Sequence, residues 1–450
     1  MIEPLVRLPD GTVKQVNPIS GTKVWTLPGR GARPLAVVRP TPAPLHPADH
    51  DRYCAFCWGR MLETPPEIAR VVRECPRSEG STEGSAEGSA EGSAEGSAEG
   101  SAEGPRWREL RGLLAEQLGE TTAEFRLFPN LFEILSYDYW HLAHGFDPTP
   151  ESQAHRAAYL STGLGREHVT ALARVRMRTR GATGAHAEPF DEDDLERESV
   201  ALFAGNHQVV VARRHFVDGA VDDSQNAGSG SLTPEEHCEY TRFTIGAIRD
   251  LYRGNPHARY VSAFQNWLRP AGASFEHLHK QLVAIDELGT DVEREAARLQ
   301  QEPELFTRWG EDFAQTRGLV VARTPTAVAF AGVGHQYPTL AVHTSNMTAL
   351  PWELSDDEVR DFSDLLHACH AATGSDVPTN EEWHYGPPSL ELPIPLRALL
   401  KWRVSTPAGF EGGTKIYVNT IDPWTVRDRT VTRLRALAAE GRLSGRLEIA

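Results

Sequence analysis

Along this 450-residue chain, apolar and polar positions fall into their clearest rhythm in the second half. Val209 to Val211 is a short β-branched run that predicts a strand. After a Gly/Ser loop comes Thr233-Pro234-Glu235-Glu236, in which Thr caps, Pro takes the first helical position and Glu closes a capping box, predicting a helix to about Arg253. Tyr260 to Gln265 and Leu278 to Ile285 predict two further strands. The order then recurs: Leu340 to Val342 predicts a strand, Ser355-Asp356-Asp357-Glu358 is a second capping box, and a helix runs to about Thr373 with Gly374 as its stop. Spacing adds a third match, because Asn266 lies eleven residues before His277 and His384 eleven before Pro395. The pattern predicts an α+β fold of two related tandem units, each an antiparallel sheet with a packed helix.

The first half is less regular. Trp107 to Leu118 predicts a helical stretch, Phe125 to Leu135 a strand with the turn-like Pro129-Asn130 inside it, and Pro148 to Leu195 mostly helix. Residues 80–104 repeat Gly, Ser, Ala and Glu with a period of four and hold no side chain able to build a core, which predicts a flexible insertion. The expected organisation is therefore an N-terminal segment, 1–79, belonging to the first unit, a linker at 80–104, the rest of the first unit at 105–290, and the second unit at 291–450.

Composition narrows the class. With 40% hydrophobic and 24% charged residues the chain is globular, and it has no run of about eighteen apolar residues. The N-terminus lacks the basic-then-apolar order of an export signal, so a cytoplasmic protein without a membrane partner is expected. The net charge is −16, and seven of the acids stand at every fourth position from Glu79 to Glu103. Without those seven the balance is still about −9, the wrong sign for neutralising a phosphate backbone, and nucleic acid is not an expected partner. Five cysteines are too few and too scattered for a disulfide framework. Cys54 and Cys57 differ from the rest, because Cys-x-x-Cys is the spacing at which two thiolates grip one metal ion.

The densest chemistry lies in Phe264 to Ile285. There His277, His279 and Gln281 stand at i, i+2 and i+4, and strand geometry turns all three toward one face. A polar strand face with coincidental histidines, among 18 in the chain, is the competing reading.

The run His277-Leu278-His279-Lys280-Gln281, with Asn266, Gly272 and Ser274 upstream, resembles the active-site motif of the galactose-1-phosphate uridylyltransferases, a branch of the histidine-triad superfamily. Other segments extend the resemblance. Asn17 to Gly21 with Pro28 to Pro34 looks like that family's opening strand and arginine-bearing segment, and Phe128-Pro129-Asn130 like its nucleotide-contacting turn. Cys54-Ala55-Phe56-Cys57 looks like its metal-binding pair, and Pro407 to Glu411 through Tyr417 to Asn419 like the segment that approaches the sugar.

The resemblance implies that His279 is a nucleophile taking a nucleotidyl group as a phosphoramidate, with Gln281 donating an amide hydrogen to a phosphate oxygen. An amide cannot act as general base for water, which favours transfer over hydrolysis. Arg30, Arg33, Asn130, Asn266, Gly272, Ser274, Phe410 and Asn419 would contact substrate. Cys54, Cys57, His215 and His277 would hold one structural zinc, with His207 the alternative to His215. The implied activity is transfer of a nucleoside monophosphate, UMP in the family, between a nucleoside diphosphate sugar and a sugar 1-phosphate, in a homodimer whose sites are built from both chains. A phosphorylase using inorganic phosphate and a non-catalytic zinc-stabilised nucleotide-binding protein are the alternatives. In the second unit Pro395, Arg397 and Leu399 replace the motif residues, so that half has no nucleophile. Arg397 and His384 offer little for a second metal, and Arg397 or Lys401 could instead meet phosphate.

Overall fold

The computed structural model describes residues 3–29, 35, 41–74, 106–179, 190–347, 350–390 and 392–450. The 80–104 repeat, Arg30 and Arg33 lie outside the described residues. Three strands open the chain, β1 (Leu5–Arg7), β2 (Val13–Val16) and β3 (Lys23–Thr26). The first half then supplies β4 (Ala69–Glu74), β5 (Arg106–Arg111), β6 (Ala123–Pro129), β7 (His207–Ala212), β8 (Tyr260–Trp267) and β9 (His279–Ile285). The second half supplies β10 (Val320–Thr324), β11 (Ala327–Ala331), β12 (Thr339–Thr344), β13 (Thr379–His384), β14 (Arg397–Trp402), β15 (Ile416–Asn419) and β16 (Glu448–Ile449). The helices are α1 (Tyr137–His144), α2 (Pro150–Leu160), α3 (Gly163–Thr179), α4 (Glu192–Phe203), α5 (Pro234–Gly254), α6 (Thr290–Leu299), α7 (Asp312–Thr316), α8 (Asp356–Thr373), α9 (Gly409–Thr414) and α10 (Pro423–Ala439). No described helix is long and apolar enough to cross a membrane.

Among the described residues, twelve strands form one antiparallel sheet in the order β16-β10-β11-β12-β14-β13-β8-β9-β7-β6-β4-β5. A small second sheet, β1-β2-β3-β15, joins the N-terminal strands to the C-terminal region through a parallel β3–β15 pair. The large sheet reads alike in both directions from its middle. Outward from β8 run β9, β7, β6 and β4, and outward from β13 run β14, β12, β11 and β10. The registers agree as well, since β7 pairs Val211 with His279 and β12 pairs His343 with Arg397. Where the sequence pattern predicts a separate sheet for each unit, β8 and β13 pair directly, from Thr379↔Trp267 to Glu382↔Phe264, and fuse the halves edge to edge.

Helices α5 and α8 cover one face of this seam, each entered through the expected box: Thr233 with Glu236, and Ser355 with Glu358. They meet through buried hydroxyl and imidazole groups, His237 Nδ1 lying 2.7 Å from Ser363 Oγ. The opposite face of β9 and its neighbours carries the candidate chemistry. Three expectations are corrected. Trp107–Leu118 is not helical: Arg106–Arg111 pairs with β4 as the outermost strand, and a 3-10 turn, Ala115–Glu120, follows. The charged run offers helical propensity, but pairing with a strand distant in sequence overrides it. The Phe125–Leu135 strand ends at Pro129, where the turn begins, and His277 lies two residues ahead of β9 rather than within it.

Candidate functional site

The turn that carries Cys54 and Cys57, the loop after β7 that carries His215 and the approach to β9 that carries His277 converge on one point. The two sulfurs are 3.7 Å apart, and His215 Nδ1 lies 3.3 Å from Cys54 Sγ and 3.4 Å from Cys57 Sγ. His277 Nδ1 lies 3.5 Å and 3.7 Å from the same two atoms. A zinc tetrahedron with bonds of about 2.3 Å to sulfur and 2.05 Å to nitrogen has S···S edges of about 3.8 Å and S···N edges of about 3.6 Å, so the four donors stand where such an ion needs them. The surroundings fit too. His277 Nε2 donates to the Ala212 carbonyl at 2.7 Å, which leaves its Nδ1 lone pair facing the thiols. Buried Arg126 donates to the Phe56 carbonyl at 3.0 Å and pins the Cys-x-x-Cys turn. So closely placed, the thiols cannot both ionise: hydrogen bonding from Cys54 draws Cys57 well below the usual thiol range, and sharing with Cys57 pushes Cys54 up. On losing the second proton to a bound cation, the two sulfurs and two imidazoles would offer four donors, the set suited to a structural zinc.

His279 opens β9 two residues beyond His277. Its Nδ1 donates to the His277 carbonyl at 2.8 Å, and its Nε2 takes no hydrogen bond from the described residues. Burial pushes its pKa down to about 4, against the opposing pull of that carbonyl, so the ring is neutral. Phe56, inside the Cys-x-x-Cys turn, packs edge-on at 5.2 Å between ring centroids. The metal turn therefore also walls the candidate nucleophile. Gln281 follows on the same face, and its Oε1 lies 3.0 Å from His207 Nε2. Asn266, on β8, accepts from Asn380 Nδ2 at 2.6 Å, while Arg403 donates to Asn380 Oδ1 at 2.6 Å. Asn380 and Arg403 belong to the second half and reach the site only through the seam. Gly272 turns the chain at φ 92°, a conformation that needs glycine, and Ser274 stands exposed beyond it.

Residues 8–450 match the family described as a domain of unknown function, DUF4921. The chain belongs to this family. No curated protein matches the sequence. Two solved structures share the fold of this DUF4921 chain. One is an ADP-glucose phosphorylase from Arabidopsis thaliana with bound ADP-glucose, at a TM-score of 0.53 and 17% identity over 93% of this chain and 97% of that one. The other is a GalT-like protein from the same plant, at 0.52 and 15% over the same shares. The resemblance read from the sequence thus holds at the level of fold, in a chain whose sequence has diverged far.

The other candidate residues of the DUF4921 chain divide between places. Asn130 sits at the end of β6, its backbone N–H donating to the His207 carbonyl at 2.6 Å, close to Gln281. Phe410 and Asn419 belong to the small sheet's surroundings. Phe410 faces Trp25 at 6.0 Å, and Asn419 donates to the His335 carbonyl at 3.2 Å. His335 lines a cavity of about 260 Å³ in the second half, with Asn17, Ser20, His384, Arg397 and Lys401. Arg397 there binds Glu295 at 2.6 Å and lies over Phe306, and Lys401 binds Glu382, so both cations expected to meet phosphate are engaged by carboxylates. The sequence offers His207 only as a spare metal ligand. Its place two residues before Val209, on the face shared with Gln281, is the signal that gives it a different partner.

Proposed function

We propose that the protein is a nucleotidyltransferase acting on a nucleoside diphosphate sugar through a covalent intermediate on His279. The observation that carries this reading is the state of His279: its proton is held on Nδ1 by the His277 carbonyl, and its Nε2, which takes no hydrogen bond from the described residues, belongs to the face of β9 that also carries Gln281. Attack by that lone pair on the α-phosphorus forms the P–N bond and breaks the bond to the β-phosphate bridging oxygen, releasing sugar 1-phosphate. The ring then carries positive charge, which the His277 carbonyl stabilises at 2.8 Å. A phosphate oxygen of the acceptor reverses the step, and the P–N electron pair returns to Nε2. Gln281, Asn266 and the backbone around Gly272, with Ser274, would hold the non-bridging oxygens, Asn130 would meet the nucleoside, and Arg30 and Arg33 would supply positive charge. A zinc held by Cys54, Cys57, His215 and His277 would fix the nucleophile's strand and offer no open position to substrate.

The resemblance favours UMP as the group carried and a sugar 1-phosphate as the acceptor. The likeness to an ADP-glucose phosphorylase over most of both chains supports a second reading, with AMP carried and inorganic phosphate as acceptor. Phe410 and Asn419, away from β9 within the chain, would complete the sugar end from the second copy of a homodimer built of two tandem histidine-triad-like units. Incubation with UDP-glucose and with ADP-glucose, followed by intact-mass measurement, tests the proposal. One of them should leave an acid-labile nucleotidyl adduct that His279→Ala lacks. Chasing with glucose 1-phosphate or with phosphate then identifies the acceptor. Turnover unchanged in His279→Ala would end this reading.

A further inference from the structure

His207 lies at the head of β7, buried, and none of the roles above uses it. Its two ring nitrogens face partners of different kinds. The Ile134 backbone N–H, which can only donate, points at Nδ1 from 3.3 Å. Gln281 Oε1, which can only accept, lies 3.0 Å from Nε2. One neutral tautomer satisfies both, with the proton on Nε2 and the lone pair on Nδ1. We propose that His207 is a positioning residue that locks the orientation of the Gln281 side chain, so that its NH2 and not its carbonyl oxygen is presented to the substrate phosphate.

The lock follows from counting donors. An amide flip would set the Gln281 NH2 against the His207 Nε2–H and turn a carbonyl oxygen toward phosphate. Relieving that clash would require the opposite imidazole tautomer, whose Nδ1–H would oppose the Ile134 N–H, a backbone group that cannot turn away. Asn130 Nδ2 lies 3.1 Å from Nε2, and because Asn130 Oδ1 accepts from Phe132 N–H at 2.9 Å, that amide cannot flip to offer an acceptor. In the assigned tautomer this approach is a close contact and no hydrogen bond. The opposite tautomer would accept from Asn130 at Nε2, but at the cost of the Ile134 donor. The His207 main-chain carbonyl also accepts the Asn130 N–H at 2.6 Å, so the backbone and the side chain of this one residue together register the turn after β6 against the amide on β9. Burial keeps the ring neutral, its pKa pushed down to about 4, so the lock does not open near neutral pH.

This inference rests on the reading of Gln281 as a phosphate donor, and the test separates the two. The amide nitrogen of glutamine reaches the place of an imidazole Nε2, whereas that of asparagine reaches only the place of Nδ1. The rate of nucleotidyl-His279 formation is measured in single turnovers with UDP-glucose and ADP-glucose as probes. His207→Gln should stay close to wild type, and His207→Asn should slow the step about tenfold to a hundredfold while donor affinity stays within about twofold. In a Gln281→Ala background His207→Asn should add nothing, because there is no amide left to orient. Equal rates for the two His207 variants, or an undiminished His207→Asn effect without Gln281, would overturn the proposal while the covalent mechanism survived. Nitrogen-15 NMR of imidazole-labelled full-length protein, with the His207 signal assigned by its loss in the variants, gives a readout independent of turnover. A proton found on Nδ1 overturns the lock, whereas an absent wild-type adduct with both probes defeats the transfer reading on which it rests.

Discussion

At the scale of single residues, alternation along β9 divides two kinds of chemistry. His279 and Gln281 share one face, while Lys280 between them points to the other, where it pairs with Glu381 of the other half, both side chains fully buried. Burial alone would raise the Glu381 carboxyl, but Lys280 and His370, the latter at 2.6 Å, outweigh it and hold the group well below the usual range. Removing one partner strands the other charge, so Lys280→Met should cost about 3–5 kcal/mol in urea unfolding. Its adduct rate per folded molecule should be nearly unchanged, because the removed group lies across the sheet from His279. A loss below about 1 kcal/mol would mean that His370 alone satisfies Glu381. The metal cluster makes a second prediction. Protein purified without chelators should contain about one zinc per chain, and Cys54→Ser should lose it and melt at lower temperature. Metal-free protein with undiminished melting temperature would show that the four side chains pack without an ion.

At the scale of elements, local signals proved readable and long-range pairings did not. The boxes at Thr233 and Ser355 and the strand through Leu278–Ile285 appear in the structure within a residue or two of their expected places. Each is written in a few adjacent side chains whose hydrogen bonds are local. Of the metal quartet, spacing alone singles out Cys54 and Cys57, whereas His215 and His277 follow from the family resemblance, because ligands that meet only through the fold leave no local pattern. By contrast, β5 carries charged residues with no apolar alternation, and only its pairing with β4, residue Glu74 opposite Arg106, makes it a strand. The same pairing sets Glu74 and Arg106, the described residues on either side of 75–105, opposite each other. Deleting 80–104 should therefore leave register and adduct formation intact. Loop-closure entropy changes by only about 0.6 kcal/mol per doubling of length, so the melting temperature should stay within about 2 °C or rise slightly. A large loss of activity or stability on deletion would show that the repeat packs against something.

At the scale of the whole molecule, the β8–β13 seam decides how the chain comes apart. One core cluster holds residues from Leu5 to Leu434, including Val261 and Leu282 from the first half and Trp383 and Leu400 from the second. Neither half can open along the seam without uncovering this core and splitting the Lys280–Glu381 pair, so heating should produce one cooperative transition. The same interior makes that transition sensitive to acid. Burial holds His207 and His367 down to about 4 and His335 to about 3, each from a usual 6.5, and holds His237 and His343 well below it. In the unfolded chain these rings take up protons as pH falls through about 6.5, while in the folded protein they remain neutral. Between those values the unfolded state binds more protons, so stability rises with pH by up to about 1.4 kcal/mol per unit for each ring. Their contribution is complete above about 6.5 and is lost as pH falls toward 4. A series of melting curves should thus show a plateau from pH 8 to about 6.5 and a steep decline below it, in a single step throughout. Two separate steps would mean that the seam does not couple the halves. A melting temperature constant down to pH 5 would mean that these rings are reached by water and protonated in the folded protein.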